Sequence, residues 1–175
     1  HPMDTTHPSS FGGFIKNRAG IPWKIPIEQV CLINEQAENP WEEAARYEEL
    51  LKVLVPHLFV AGIGPPEDPH AAFIGRGTSF DMGVHYIPKL PDAVLHRDRV
   101  NRGEAVPDGA ITVGPRAISR AKHVLVVGYG KKGLSLKHVL SAPIGPDCPA
   151  TIIRTLGRDR VTIMIDDEAA QLLQS

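Results

Sequence analysis

The sequence predicts an α/β protein of three layers, with helices on both sides of a mostly parallel sheet. Three observations lead there. Apolar, β-prone runs alternate along the chain with helix-period stretches, which implies right-handed βαβ units. The run Leu58-Phe59-Val60-Ala61 is apolar without a break, as suits a strand buried on both faces of a parallel sheet. It ends in Gly62-Ile63-Gly64, ahead of a Pro-rich loop bearing Glu67, Asp68 and His70. That is the rim where open α/β sheets bind ligands.

In chain order, Ser9 or Ser10 can cap a short helix whose apolar residues are Phe11, Phe14 and Ile15, with Gly20 ending it. A proline-punctuated loop leads to Val30-Cys31-Leu32-Ile33, which reads as a strand. Asn39 is placed as an N-cap with Pro40 at the first helical position. The helix from about Trp41 to Val55 sets Ala44, Ala45, Tyr47, Leu50, Leu51 and Leu54 at helical spacing. Glu42 and Glu43 complement its dipole. After the Leu58–Gly62 strand, residues 78–109 form the least regular region, broken by Pro88, Pro91 and Pro107. Regular structure then returns. Strands are expected over Ala110–Val113, His123–Val127 and Val161–Ile165, and helices over Pro115–Ala121, Lys131–Leu140, Cys148–Leu156 and Asp166–Leu173.

The length of 175 residues suits one domain, 1–175, with a sizeable core. Nineteen Lys and Arg against twenty Asp and Glu give a formal net charge of -1, which argues against a general nucleic-acid or membrane-surface binder. No apolar run approaches the roughly 20 residues that span a bilayer. Cys31 and Cys148 lie far apart, without metal-ligand spacing, and suit a reduced, cytoplasmic setting. No cofactor is implied. His1-Pro2-Met3 is not an ordinary translation start, so the expectation is a chain that begins inside a larger protein or after a tag remnant.

Several constellations could carry chemistry. His70 follows a glycine turn with Asp68 near it, and an imidazole beside a carboxylate can move protons near neutral pH. The alternative is that Gly62 and Gly64 only make a turn and Asp68 caps a short helix containing His70. A second glycine turn, Gly128-Tyr129-Gly130, precedes Lys131 and Lys132. Backbone N–H groups, a helix dipole and cations together favour a phosphate there, although the same lysines also fit a solvated helix start. Arg97, Arg99 and Arg102 are a further candidate anion clamp or a polar loop. His57, His123 and His138 read as packing or surface residues, and Ser135 lacks a nucleophile-elbow setting.

Several segments, in the same order, resemble the glucosamine-6-phosphate deaminase/isomerase family, which is related to 6-phosphogluconolactonases. The family's Asp-x-x-x-His-Pro-x-Ser-Phe region is similar to Asp4–Phe11, and its acidic Ala-Arg-Tyr-Glu helix to Ala45-Arg46-Tyr47-Glu48. Its Gly-Ile-Gly-x-Asp-Gly-His-x-Ala-Phe motif resembles Gly62–Phe73 with two extra residues around Pro66-Glu67. The Val-Pro-x-x-Ala-Ile-Thr pattern appears at Val106–Thr112, a Cys-Pro-Ala segment lies within Ala142–Ile153, and Asp-x-x-Ala closes both.

The resemblance implies a Rossmann-like domain handling an amino-sugar or sugar phosphate as its small-molecule partner. An imidazole helps open the sugar ring, an acid moves a proton between the first two carbons, and ammonia leaves to give the ketose phosphate. By position His70 would open the ring with Asp68 beside it, and Asp4 is the candidate for the base. Gly62 and Gly64 would line the substrate loop. Lys132 matches the phosphate-binding lysine with a one-residue shift, and Arg97 a phosphate arginine by its spacing to Val106-Pro107. The chain departs from the family where its acid after the Phe is replaced by Ile74-Gly75, and where Pro69 precedes the histidine.

The chain also begins where the family is already well into its domain, so the domain is expected to be incomplete. Missing strands would expose an unpaired edge and an apolar patch, which drive homo-oligomerisation. Three activities follow from the resemblance, in order: a deaminase/isomerase-type enzyme, a lactonase-like hydrolase in which His70 activates water, and a catalytically silent sugar-phosphate-binding module.

Overall fold

The computed structural model describes residues 6–7, 10–89 and 109–174. The elements are α1 Phe11–Ile15, α2 Pro40–Val53, β1 Leu58–Gly62, β2 His85–Ile87, β3 Ala110–Thr112, α3 Pro115–Arg120, β4 His123–Gly128, α4 Lys132–Ser141, β5 Val161–Ile165 and α5 Asp167–Gln174. β1, β4 and β5 form a three-stranded sheet in the order β1-β4-β5, while β2 and β3 form a two-stranded one. The chain divides into two compact units, His1–Tyr47 with Tyr86–Ile111 and Glu48–His85 with Thr112–Ser175.

In the first unit, Ser10 caps α1 by accepting from the Gly13 N–H, and its hydroxyl donates to Glu35 Oε2 at 2.6 Å. The chain continues past α1 through a π-turn, Lys16–Gly20. The buried residues of α1 are Gly12 and Gly13, whereas Phe11, Phe14 and Ile15 are exposed, which reverses the face that the pattern suggests. Asn39 caps α2 as expected, its Oδ1 accepting from the N–H groups of Trp41 and Glu42. Residues 30–33, expected as a strand, are not one. Side chains of α2 instead take two carbonyls of this run and the N–H of Asn34 just after it. Tyr47 donates to the Cys31 carbonyl at 3.1 Å, Arg46 to the Leu32 carbonyl at 3.2 Å, and the Asn34 N–H donates to Glu43 at 2.6 Å. A backbone satisfied this way needs no neighbouring strand. The Arg46 hydrogen bond, ahead of the opposing effect of burial, holds Glu43 below its ordinary pKa.

In the second unit β4 is the central strand and both its pairings are parallel. Leu58 lies opposite His123, Gly62 opposite Val127, and Gly128 opposite Ile165. Val124 and Val126 are fully buried on one face, in a core with Ile118 of α3, Leu136 and Val139 of α4, and Ile152 and Ile153 of the 3-10 segment Pro149–Thr155. Phe59, Val161 and Ile165 pack against that core. The expectation that β1 is buried on both faces does not hold. Leu58 is 52% and Val60 60% exposed, while the intervening Phe59 and Ala61 turn inward. β1 pairs only with β4 among the described residues, so its unbroken apolar run marks a strand with one covered face.

Glu48 holds the end of α2 within this unit. Its carboxylate accepts from the Val84 N–H at 2.8 Å, from Arg116 at 3.1 Å and from Arg120 at 2.8 Å. A Cβ on Gly83 would come within 2.5 Å of the same carboxylate. Burial alone would raise the Glu48 pKa, but the Val84 N–H and the two guanidinium groups outweigh it, leaving the carboxyl below its ordinary value of 4.5. A depressed native pKa contributes stability above the unfolded pKa, and that stability is lost as pH falls through the native one. Glu48→Gln is therefore expected to cost about 2–3 kcal/mol at neutral pH, since both arginines stay partly solvated. It should also flatten the fall of stability below about pH 4.5. Urea unfolding across pH 3–7 checks both.

Candidate functional site

β1 delivers the chain to the carboxyl rim of the sheet. Ile63 is buried and bridges Ala71, and the Gly64 N–H donates to the His70 carbonyl at 2.7 Å. Between them, the Asp68 N–H bonds the Pro65 carbonyl at 3.0 Å. The loop thus folds back, and His70 Nδ1 lies 3.2 Å from Asp68 Oδ2. Gly64 is required by space, because a Cβ there would lie 2.4 Å from the Asp68 carbonyl and 2.6 Å from His70 Nδ1. A Cβ on Gly62 would meet nothing within 4 Å.

Asp68 caps no helix, and residues 71–73 form a bridge and a turn. This excludes the reading of His70 as a residue of a short capped helix. Ala72 adopts a left-handed φ of 53°, a strained conformation for a residue other than glycine. The Phe73 N–H then donates to Thr112 Oγ1 at 3.1 Å. Beneath the loop, Cys148 Sγ lies 3.9 Å from the Pro69 carbonyl. Burial pushes its thiol pKa up, which makes it a packing group and a poor nucleophile.

With Nδ1 engaged by a carboxylate, the tautomer that donates from Nδ1 leaves Nε2 able to accept and return a proton. The His70 side chain is 19% exposed and that of Asp68 36%, so solvent and ligands can reach the pair.

β4 delivers the second glycine turn to the same rim, because it runs parallel to β1 with Gly62 opposite Val127. Most of the backbone N–H cradle expected here is already in use. Gly130, at a φ of 54°, donates to both carboxylate oxygens of Asp166 at 3.0 and 3.1 Å. The N–H groups of Lys132, Gly133 and Leu134 bond the carbonyls of Tyr129, Gly130 and Lys131. An anion arriving at this turn would therefore be met chiefly by side chains. Lys131 is exposed and Lys132 half-buried at the start of α4.

Motif spacing does not mark Asp166 as a site residue. Its signal in the sequence is an Asp that follows a β-run and precedes an Asp-Glu-Ala-Ala helix start, the pattern of an N-cap. Asp4, Arg97, Arg99 and Arg102 lie outside the described residues. His57 and His123 are at the opposite, amino-terminal rim, where Lys122 Nζ is 3.1 Å from His57 Nε2 and His123 Nε2 is 2.9 Å from Thr162 Oγ1. Ser135 is fully buried on α4. Among the described residues, no group of three or more His, Cys, Asp or Glu could hold a metal ion, and no helix is long and apolar enough to cross a membrane.

No family model matches the chain. It is 34% identical over 171 residues to a glucosamine-6-phosphate deaminase of Exiguobacterium sp. (strain ATCC BAA-1283 / AT1b), covering 96% of this chain and 65% of the relative. It is 33% identical over 153 residues to a glucosamine-6-phosphate deaminase of Listeria monocytogenes serotype 4a, covering 86% and 63%. A solved structure described as a monomeric glucosamine-6-phosphate deaminase, a missing link of the NagB superfamily, superposes with a TM-score of 0.88 at 26% identity, over 97% of this chain and 70% of that one.

This chain is a homologue of the glucosamine-6-phosphate deaminases. It spans 65% of the length of the first of those relatives and 63% of the second. The Rossmann-like α/β fold is shared more widely, for a 6-phosphogluconolactonase from Leishmania guyanensis superposes with a TM-score of 0.69 at 19% identity.

The two glycines of the deaminase-like loop are expected to behave differently. Gly64→Ala forces the His70 backbone or ring to move, at a cost of about 1–3 kcal/mol. Gly62→Ala stays within about 0.5 kcal/mol of the wild type. Thermal melts of the two variants test the contrast.

Proposed function

We propose that this chain acts on a phosphorylated amino sugar, as an aldose–ketose isomerase that releases ammonia. The observation that carries the reading is the His70–Asp68 pair, 3.2 Å apart at the carboxyl end of β1, in a chain homologous to glucosamine-6-phosphate deaminases. Asp68 holds the Nδ1 proton of His70, so Nε2 carries the proton to and from the ring oxygen as the sugar opens. A carboxylate then shifts the proton from the second carbon to the first. Asp4 is the residue proposed for that step. Water replaces the amine, ammonia leaves, and a ketose phosphate remains.

Lys132, at the start of α4, supplies the cation for the substrate phosphate, and Arg97 is proposed as a second one. Gly62, with open space above its Cα, lets the substrate approach the backbone. The free thiols of Cys31 and Cys148 suit a cytoplasmic setting, and the partly exposed β1 suits association with further copies.

A second reading is favoured by one feature. The family's acid after the Phe is absent here, its place taken by Ile74-Gly75, with Ile74 fully buried. A lactonase-like hydrolase would need only His70 to activate water, without the proton shift between carbons.

Incubating the purified chain with glucosamine-6-phosphate, and separately with 6-phosphogluconolactone, decides between the two. The main reading expects ammonia and ketose phosphate in equal amounts, and a loss of about 10²–10⁴-fold in His70→Asn. Lactone hydrolysis without ammonia release would establish the second reading. Ligand-induced stabilisation without any turnover would mark a silent binding module.

A further inference from the structure

The turn between β4 and α4 carries its own anion. Asp166 follows β5 directly and, because β5 runs parallel to β4 with Ile165 opposite Gly128, its carboxylate reaches the Gly130 N–H with both oxygens. The same Oδ1 accepts from the Ala169 N–H at 2.8 Å, which caps α5. One carboxylate therefore ties the start of α4 to the start of α5. The helices also touch where Gly133 meets Ala169, since a Cβ on Gly133 would lie 2.3 Å from the Ala169 carbonyl oxygen. Lys132 sits between these two fixed points, two residues beyond Gly130 and one before Gly133. A Cβ on Gly128 would be 3.5 Å from its Cβ.

We infer that Asp166 is a positioning residue for Lys132. It occupies the backbone donor that an incoming phosphate would otherwise use, and it fixes the turn so that the Lys132 stem leaves the rim in one direction. Binding of the substrate's anionic group then depends on the ammonium and on the carboxylate that orients its backbone. This inference rests on the sugar-phosphate reading for its substrate, but the coupling of Asp166 to Lys132 can be tested without turnover.

The experiment is a double-mutant cycle on the full chain, with Asp166→Ala, Lys132→Met and the double variant. Asp166→Asn serves as a folded control, because asparagine caps helices about as well as aspartate. Two quantities are read: KM and kcat for ammonia release from glucosamine-6-phosphate, and the dissociation constant of inorganic phosphate by NMR titration of the Gly130 amide signal, which every variant retains. Asp166→Ala is expected to raise KM and the phosphate dissociation constant about tenfold, with kcat within about threefold of wild type. It should have little further effect in the Lys132→Met background, and Asp166→Asn should restore a good part of the loss.

Equal effects of Asp166→Ala in both backgrounds would reduce it to a helix cap and overturn the inference, as would an unchanged phosphate dissociation constant. Should the wild type release no ammonia while phosphate binding still shows the coupling, the deaminase reading fails and the inference stands. Normal ammonia release with no coupling sinks the inference alone.

Discussion

The parallel pairing of β4 with its two neighbours is the constraint on which the site depends. Parallel strands send their carboxyl ends to one rim, so the register Gly62–Val127 and Gly128–Ile165 gathers three junctions there. They are the His70 loop after β1, the glycine turn after β4 and Asp166 after β5. Burial of Val124 and Val126 fixes which face of β4 points inward, and a slip of one residue would turn those side chains out to water. The chemistry at the rim thus inherits its geometry from hydrocarbon packed beneath the sheet.

Carboxylates do the local fixing. Glu43 in the first unit, and Glu48 and Asp166 in the second, each accept a backbone N–H in addition to another donor. Such groups satisfy amides that no strand or helix partner reaches. At Glu48 two arginines compensate the buried charge, while Asp166 is exposed at the rim and needs only amide donors. The His70–Asp68 pair differs from these, since the group facing the carboxylate is an imidazole, whose nitrogens can each donate or accept a proton.

Local signals were the legible ones. Asn39-Pro40 announced α2, the glycine turns announced the ends of β1 and β4, and the β-prone run His123–Val127 announced the central strand. Features decided by distant partners were not legible. Val30–Ile33 has the composition of a strand, yet Tyr47 and Arg46 take its Cys31 and Leu32 carbonyls. The apolar run of β1 suggested two covered faces, but apolar content does not reveal whether a neighbour exists to cover the second. β2 has three residues, too few for any period to register. At the site, motif order brought out His70, Asp68 and Lys132, whereas the capture of the Gly130 N–H by Asp166 depends on a register between β4 and β5 that spacing along the chain does not encode.

The central claim is that His70 and Lys132 face one bound sugar phosphate. Titrating the isotopically labelled chain with glucosamine-6-phosphate, while following the His70 imidazole nitrogens and the Lys132 Nζ, tests it directly. Both signals are predicted to move along a single binding curve with a shared dissociation constant. A response at one residue only, or two curves with different midpoints, would contradict the account.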